Sequence, residues 1–264
     1  MIRLVCIDVD GTLVGSAGAV DPAVWRAAAR VRSAGIRLAI CSGRPAFGLA
    51  REYAGRLDGA GWHSFQNGAS VLHLASGRSR SARMGEEIVA MLVARARATG
   101  RLLELYADDD YVFHGDEALA RSHAALLGVP FATRPLDALA GPVVRAQWLV
   151  PRAESAAVIG EPHPGLQVSP STSPLMPDTH FLNLTPAGVD KSTAVRAIAG
   201  EYGVSLEEVM FVGDGANDAA AMRLVGHPVA MGNADAEARE AARCTVAHVD
   251  EGGLAQALEM VLAS

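Results

Sequence analysis

Apolar residues follow two rhythms along this chain. Near both ends, short continuous apolar runs alternate with segments whose apolar positions recur every three or four residues. The first run, residues 4–7, stops at Asp8 and predicts a strand buried on both faces of a parallel sheet. A helix follows: Asp21 suits the N-cap, Pro22 the first helical position, and Val24, Ala27, Ala28 and Val31 fall on one face. Gly35 supplies its C-terminal stop. Residues 36–41 read as a second buried strand ending at Ser42-Gly43-Arg44, and Pro45 is expected to open another helix. The same alternation returns late in the chain. A helix from near Asp190 carries Val195, Ile198, Ala199 and Tyr202 on one side. Then come a strand at 209–212, a helix at 217–224, a strand at 229–231, a helix at 234–242, a strand at Thr245-Val246 and a helix at 254–262. Strand–helix alternation of this kind predicts an α/β fold, a Rossmann-like doubly wound parallel sheet.

The middle of the chain breaks this rhythm. It predicts a helix at 86–98, a hairpin of 102–106 with 111–114 turning at Asp108-Asp109-Asp110, a helix at 117–127, a strand at 146–150, a helix at 153–159, and strands at 166–168 and 180–183. Strands returning through tight turns imply antiparallel pairing. Residues 82–183 are therefore expected to form an α+β domain inserted into a core made of 1–81 and 184–264. The proline- and serine-rich stretch 169–177 reads as a surface loop.

Composition and charge narrow the function. With 264 residues, half of them hydrophobic and a fifth charged, the chain has room for two cores. A net charge of -6 argues against broad nucleic-acid binding, which wants a basic surface. No stretch approaches the ~20 apolar residues of a membrane span. The apolar run at the N-terminus is too short for a signal peptide, so a cytoplasmic location is expected. Cys6, Cys41 and Cys244 show neither a disulfide framework nor zinc spacing.

Four segments carry candidate chemistry, and three of them follow the C-terminal end of a predicted strand, where ligands bind in open α/β sheets. Asp8-Val9-Asp10-Gly11-Thr12 sets two carboxylates two residues apart before a glycine that permits a sharp turn. At ordinary residue usage such a string arises by chance at on the order of 10⁻⁶ of start positions. Ser42-Gly43-Arg44 offers a hydroxyl, open backbone and a guanidinium to a phosphate oxygen; alone it reads more readily as a plain turn. Lys191 sits in the first turn of a helix, against the helix dipole, which hints at use; alone it reads equally as a solvated lysine. Gly213-Asp214-Gly215-Ala216-Asn217-Asp218 adds two carboxylates and an amide at a strand-to-helix turn. It lacks the ligand pattern of an EF-hand and the third glycine of a dinucleotide fingerprint.

In their order and separation these segments, with Asn67-Gly68-Ala69 and Met231-Gly232-Asn233-Ala234, resemble the haloacid dehalogenase-like hydrolase superfamily. They are closest to its Cof-type phosphatases with a large inserted cap (subfamily IIB). The resemblance implies a phosphatase acting on a small phosphorylated metabolite, such as a sugar phosphate, through a phospho-aspartate. It makes Asp8 the nucleophile and Asp10 the general acid and base, with Ser42 and Lys191 on the transferring phosphoryl group. Mg²⁺ would be held by Asp8, the main-chain carbonyl of Asp10, and Asp214, with Asp218 behind them. Thr12, Gly43, Arg44 and Asn217 would contact substrate, and the inserted domain would close over the site. A phosphomutase shares these motifs and differs only in product. A non-catalytic phosphometabolite-binding regulator should lack a reacting group, and none is missing.

Overall fold

The computed structural model describes residues 1–173 and 175–263. The chain divides into two compact units. The first comprises Met1–Arg44, Ala50–Arg80 and Asp190–Ser264; the second comprises Pro45–Leu49 and Ser81–Val189. Along the chain come β1 (Leu4–Ile7), α1 (Pro22–Ser33), β2 (Arg37–Ile40), α2 (Leu49–Asp58), β3 (Trp62–Phe65) and β4 (Ser70–His73). Next are α3 (Glu86–Thr99), β5 (Leu102–Tyr106), β6 (Tyr111–His114), α4 (Glu117–Leu127), β7 (Arg145–Pro151), α5 (Ser155–Ile159), β8 (Leu166–Thr172) and β9 (Thr179–Pro186). The chain closes with α6 (Lys191–Tyr202), β10 (Val209–Gly213), α7 (Ala219–Leu224), β11 (His227–Ala230), α8 (Ala236–Ala241), β12 (Cys244–Thr245) and α9 (Gly253–Leu262).

The first unit is built on a parallel sheet of order β12-β11-β10-β1-β2. All four residues of β1 are fully buried, which explains their unbroken apolar run. Chain order reverses between β1 and β10, so their carboxyl ends flank the crevice where ligands bind in sheets of this topology. Register puts Ile7 beside both Val212 and Ile40, so Asp8, Cys41-Ser42 and Asp214 leave the sheet at one edge. Below that edge, Leu4, Cys6 and Phe211 pack with Val195 and Ile198 of α6 and with Ala221 and Met222 of α7. Asp21 caps α1 by accepting from the N–H of Ala23, as its place before Pro22 predicts.

The second unit holds an antiparallel sheet of order β6-β5-β7-β9-β8. Leu103, Leu105, Ala146, Trp148, Leu182 and Leu184 form its apolar core with Leu92 and Ala96 of α3 and Val158 of α5. The alternate residues Glu104, Gln147 and Asn183 stand in cross-strand register and are also buried.

The structure corrects two sequence expectations. Pro45 opens no helix; α2 begins at Leu49, after Gly48 in the left-handed region (φ +62°). The stretch 169–177 is not wholly a loop, because β8 runs on to Thr172 through Pro170. An edge strand accepts proline, since its outward N–H joins no ladder. Pro174, within that stretch, lies outside the described residues. The β3–β4 hairpin, Trp62 paired with His73 and Phe65 with Ser70, was not among the expected elements, although Asn67-Gly68 in its connection is a turn signal. No helix among the described residues is long and apolar enough to cross a membrane.

Candidate active site

Asp8 leaves β1 and meets an ammonium. Lys191 Nζ donates to Asp8 Oδ1 at 2.5 Å and to Asp218 Oδ1 at 2.6 Å, and the lysine side chain is wholly buried. Its place follows from local structure. Asp190 caps α6 in a reciprocal capping box with Thr193, which puts Lys191 in the first turn. The dipole cost noted from the sequence is met by two carboxylates. Burial alone would lower the Lys191 pKa, but Asp218 and Asp8 more than offset it and hold it above the usual lysine value. Its two carboxylate partners therefore favour the ammonium form of Lys191.

Asp218 accepts three hydrogen bonds. Its Oδ1 accepts from Lys191, and its Oδ2 accepts from the backbone N–H groups of Asp214 and Gly215, both at 3.0 Å. Asp214 receives Thr12 Oγ1 on Oδ1 at 3.0 Å and Asn233 Nδ2 on Oδ2 at 3.2 Å. Burial and the neighbouring Asp218 push the Asp214 pKa up to about 6. Asp8 is pushed well above the usual carboxylate range, mainly by burial and despite the pull of Lys191. Carboxylate oxygens of Asp8, Asp214 and Asp218 lie within 4.8 Å of one another. Three acids around one ammonium leave an excess of negative charge that a cation would relieve. Asp218 takes three hydrogen bonds against two on Asp214, so Asp8 and Asp214 keep more lone pairs to give, and an all-oxygen donor set suits a hard divalent cation.

Gly11 makes this closeness possible. It sits at φ +83°, and a Cβ there would come within 2.1 Å of Asp214 Oδ2, so no other residue fits. The carbonyl of Gly11 accepts from Asn233 Nδ2 at 2.8 Å, while Asn233 Oδ1 takes the N–H of Val249. Asn233 thus ties the loop after β1 to Asp214. The sequence quoted it within a motif but assigned it nothing.

Asp10 points elsewhere. Arg44 grips its carboxylate with three bonds, Nε to Oδ2 at 2.9 Å and to Oδ1 at 3.2 Å, and the terminal Nη2 to Oδ1 at 2.6 Å. The other terminal nitrogen, Nη1, is buried and has no hydrogen-bond partner among the described residues. Ser42 Oγ accepts from the N–H of Arg44 at 3.0 Å, which leaves the hydroxyl hydrogen to be donated outward. The Asn67 amide lies over Gly43, 3.2 Å from where a Cβ would sit, and accepts from Asn217 Nδ2 at 3.1 Å.

The expected site residues thus form two linked clusters. Asp8, Thr12, Lys191, Asp214 and Asp218 make the acidic one. Asp10, Ser42, Gly43, Arg44 and Asn217 make the other. Two residues expected on substrate have protein partners of their own. The Thr12 hydroxyl, expected on substrate, is spent on Asp214. Arg44, also expected there, holds Asp10 and keeps only Nη1 to offer.

Comparison with known proteins agrees with this geometry. Residues 5–127 and 172–258 match the sequence model of a family described as haloacid dehalogenase-like hydrolase. The chain is 22% identical over 285 residues to the 5-amino-6-(5-phospho-D-ribitylamino)uracil phosphatase YwtE of Bacillus subtilis, covering 99% of this chain and 98% of that protein. It superposes on a haloacid dehalogenase-like hydrolase from Bacteroides thetaiotaomicron with a TM-score of 0.85 at 25% identity, covering 99% and 100% of the two chains. It also shares its fold with the subclass IIB sugar phosphatase BT4131, at a TM-score of 0.81, 21% identity and 98% coverage of each. Motifs, sheet topology and family match together show that the chain belongs to the haloacid dehalogenase-like hydrolase family.

Proposed function

We propose that the protein is a phosphatase that removes phosphate from a small phosphorylated metabolite, such as a sugar phosphate, through a phospho-aspartate on Asp8. The observation that carries this reading is the buried ammonium of Lys191 bonded to the Asp8 carboxylate at a strand end. A phosphate monoester repels an anionic nucleophile, and catalysis of its transfer rests on positioning and on neutralising charge. The names of two relatives matched over nearly their whole length, a phosphatase and a sugar phosphatase, point the same way.

In this mechanism an Asp8 carboxylate oxygen attacks phosphorus, and the bond from phosphorus to the leaving oxygen breaks. Asp10 gives that oxygen a proton. Asp10 then takes a proton from water as the water attacks the phosphoryl group, which frees inorganic phosphate and restores Asp8. Lys191 and Ser42 hold the equatorial oxygens, and Arg44 Nη1 supplies a further buried donor. Arg44 also keeps Asp10 oriented between the two half-reactions. The excess acid at Asp8 and Asp214 fits Mg²⁺, held with the main-chain carbonyl of Asp10. When bound, Mg²⁺ would screen the charge between nucleophile and phosphate and keep Asp8 ionised.

The test is phosphate release across a panel of phosphorylated metabolites with Mg²⁺, beside Asp8→Asn and beside thorough chelation. Asp8→Asn should lower kcat by at least about 10³-fold while the fold persists. Chelation should stop turnover, and Mg²⁺ should restore it. Retained turnover in the variant removes Asp8 as nucleophile, and full activity under chelation removes the metal.

A further inference from the structure

Among the described residues, the non-glycine positions with a left-handed backbone are Gln66 (φ +55°) and Asn67 (φ +54°). They are consecutive and buried, and Gly68 follows them at φ +96°. An L side chain in this region crowds its own backbone, so a run of three such residues is disfavoured unless its surroundings hold it. A hairpin joining β3 to β4 does not require it, since ordinary turns close four-residue connections without two strained side chains. The outlier asks for another reason.

Its contacts suggest one. The N–H of Gln66 donates to the carbonyl of Arg44, and the N–H of Asn67 to the carbonyl of Ser42, both at 2.9 Å. The Asn67 side chain lies on Gly43 and accepts from Asn217. Gly68 presses so closely on the chain entering α6 that a Cβ would reach 2.0 Å from the carbonyl of Asp190, one residue before Lys191. Three consecutive residues thus touch three separate segments of the proposed phosphoryl site. The two carbonyl bonds fix the segment that carries the Ser42 hydroxyl, and the bond to Asn67 Oδ1 fixes the Asn217 amide. Asparagine is suited to the post, because it tolerates the left-handed region and brings an acceptor to fix its partner.

We infer that the left-handed turn Gln66-Asn67-Gly68 is a positioning device for the phosphoryl-binding groups, with Asn67 as a positioning residue that sets Asn217 and the Ser42–Arg44 segment. The inference rests on the phosphatase reading for its effect on rate, but not for its effect on Asn217.

The experiment uses the full chain and three variants, Asn67→Gly, Asn67→Ala and Asn67→Asp. Turnover of p-nitrophenyl phosphate with Mg²⁺ is measured beside the ¹H–¹⁵N resonances of the Asn217 side-chain amide. Asn67→Gly keeps the left-handed backbone without strain and removes the acceptor. It should melt cooperatively, lose about 10- to 100-fold in kcat with KM within about threefold, and move the Asn217 resonances toward a solvated amide. Asn67→Ala should do the same or more. Asn67→Asp keeps the acceptor, so Asn217 should return to its wild-type position and part of kcat with it. KM should rise through the added negative charge. A purely structural turn would lower the melting temperature and leave the KM-against-kcat split and the Asn217 resonances alone. Wild-type kcat in a folded Asn67→Gly, or unmoved Asn217 resonances in both Gly and Ala variants, overturns the inference. A wild type that cleaves no ester defeats the phosphatase reading alone, and the Asn217 resonances still decide whether Asn67 holds that amide.

Discussion

In the first unit, one ammonium lies among three carboxylates: Lys191 with Asp8, Asp214 and Asp218. In the second unit, the buried polar network is balanced. Glu104 accepts from the Tyr106 hydroxyl at 2.5 Å and faces His123 Nδ1 at 2.9 Å, while the Arg145 guanidinium lies 4.1 Å over the Tyr106 ring and donates to Asn183. One acid answers one guanidinium, although Gln147 Oε1, on the residue paired with Glu104, is buried with no hydrogen-bond partner among the described residues. The difference follows from sheet type. Parallel strands send all their carboxyl ends to one edge, so acids placed after β1 and β10 must converge. Antiparallel strands send alternate ends to opposite edges, and their side chains meet across the face. A network balanced in charge calls for no counter-ion, whereas an excess of buried charge marks a place where a cation completes the structure.

Removing the ammonium should break this comparison most sharply. Lys191→Met leaves three buried acids with no cation. At pH 7 it should abolish turnover and cost about 3–5 kcal/mol of stability, read from denaturant unfolding. The acids then have raised pKa values in the folded state, so protonation favours the fold. The deficit should shrink as pH falls and grow as it rises. A variant as stable as wild type at pH 7 would show that the acids are already neutral and that no excess charge exists.

The two units also treat histidine differently. In the second, His123 faces a carboxylate. In the first, His63 Nδ1 accepts the N–H of Ile40 at 3.1 Å, so its proton sits on Nε2 and is donated to the Asp58 carbonyl at 2.8 Å. A second proton has no acceptor, and burial drives the His63 pKa down to about 4 from 6.5. The unfolded chain therefore binds more protons between those values. The stability His63 gives is full above pH 6.5 and is lost as pH falls toward 4. At about 1.4 kcal/mol per pH unit the loss reaches about 3 kcal/mol. Asp214, raised to about 6, works in the opposite direction in the metal-free protein, losing stability as pH climbs through that value. The clean measurement is therefore the pH dependence of the difference between wild type and His63→Gln, in which the Asp214 contribution cancels. A difference that does not change between pH 7 and pH 4 would refute the neutral tautomer.

The smallest effect is expected in the balanced network. Glu104→Gln removes the charge that answers Arg145 and weakens the acceptor for Tyr106. It should cost about 1–3 kcal/mol of stability, visible as a lowered melting temperature, and leave kcat on p-nitrophenyl phosphate as in wild type. A large loss of kcat with an unchanged melting temperature would show that the second network also serves the chemistry.

Local pattern alone determined much of this molecule. The continuous apolar runs before Asp8, Ser42 and Asp214 marked strands buried on both faces, and the helical spacing after Asp190 marked α6, because both periods are set by backbone geometry over a few residues. Where a polar stretch lay on a sheet edge, as in β8, solvent exposure hid the strand. Where helix signals met a left-handed glycine, as between Pro45 and Leu49, the start was misplaced. The candidate residues were visible in short motifs, but their partners were not. Lys191 reaches Asp8 across 183 positions, Thr12 reaches Asp214 across 202, and Asn217 reaches Asn67 across 150. Only the folded chain shows that Asp218 binds Lys191 and two backbone N–H groups, that Arg44 grips Asp10, and that Thr12 and Asn233 serve Asp214. These pairings depend on strand order and register, which bring distant loops to one edge and which no stretch of sequence contains by itself.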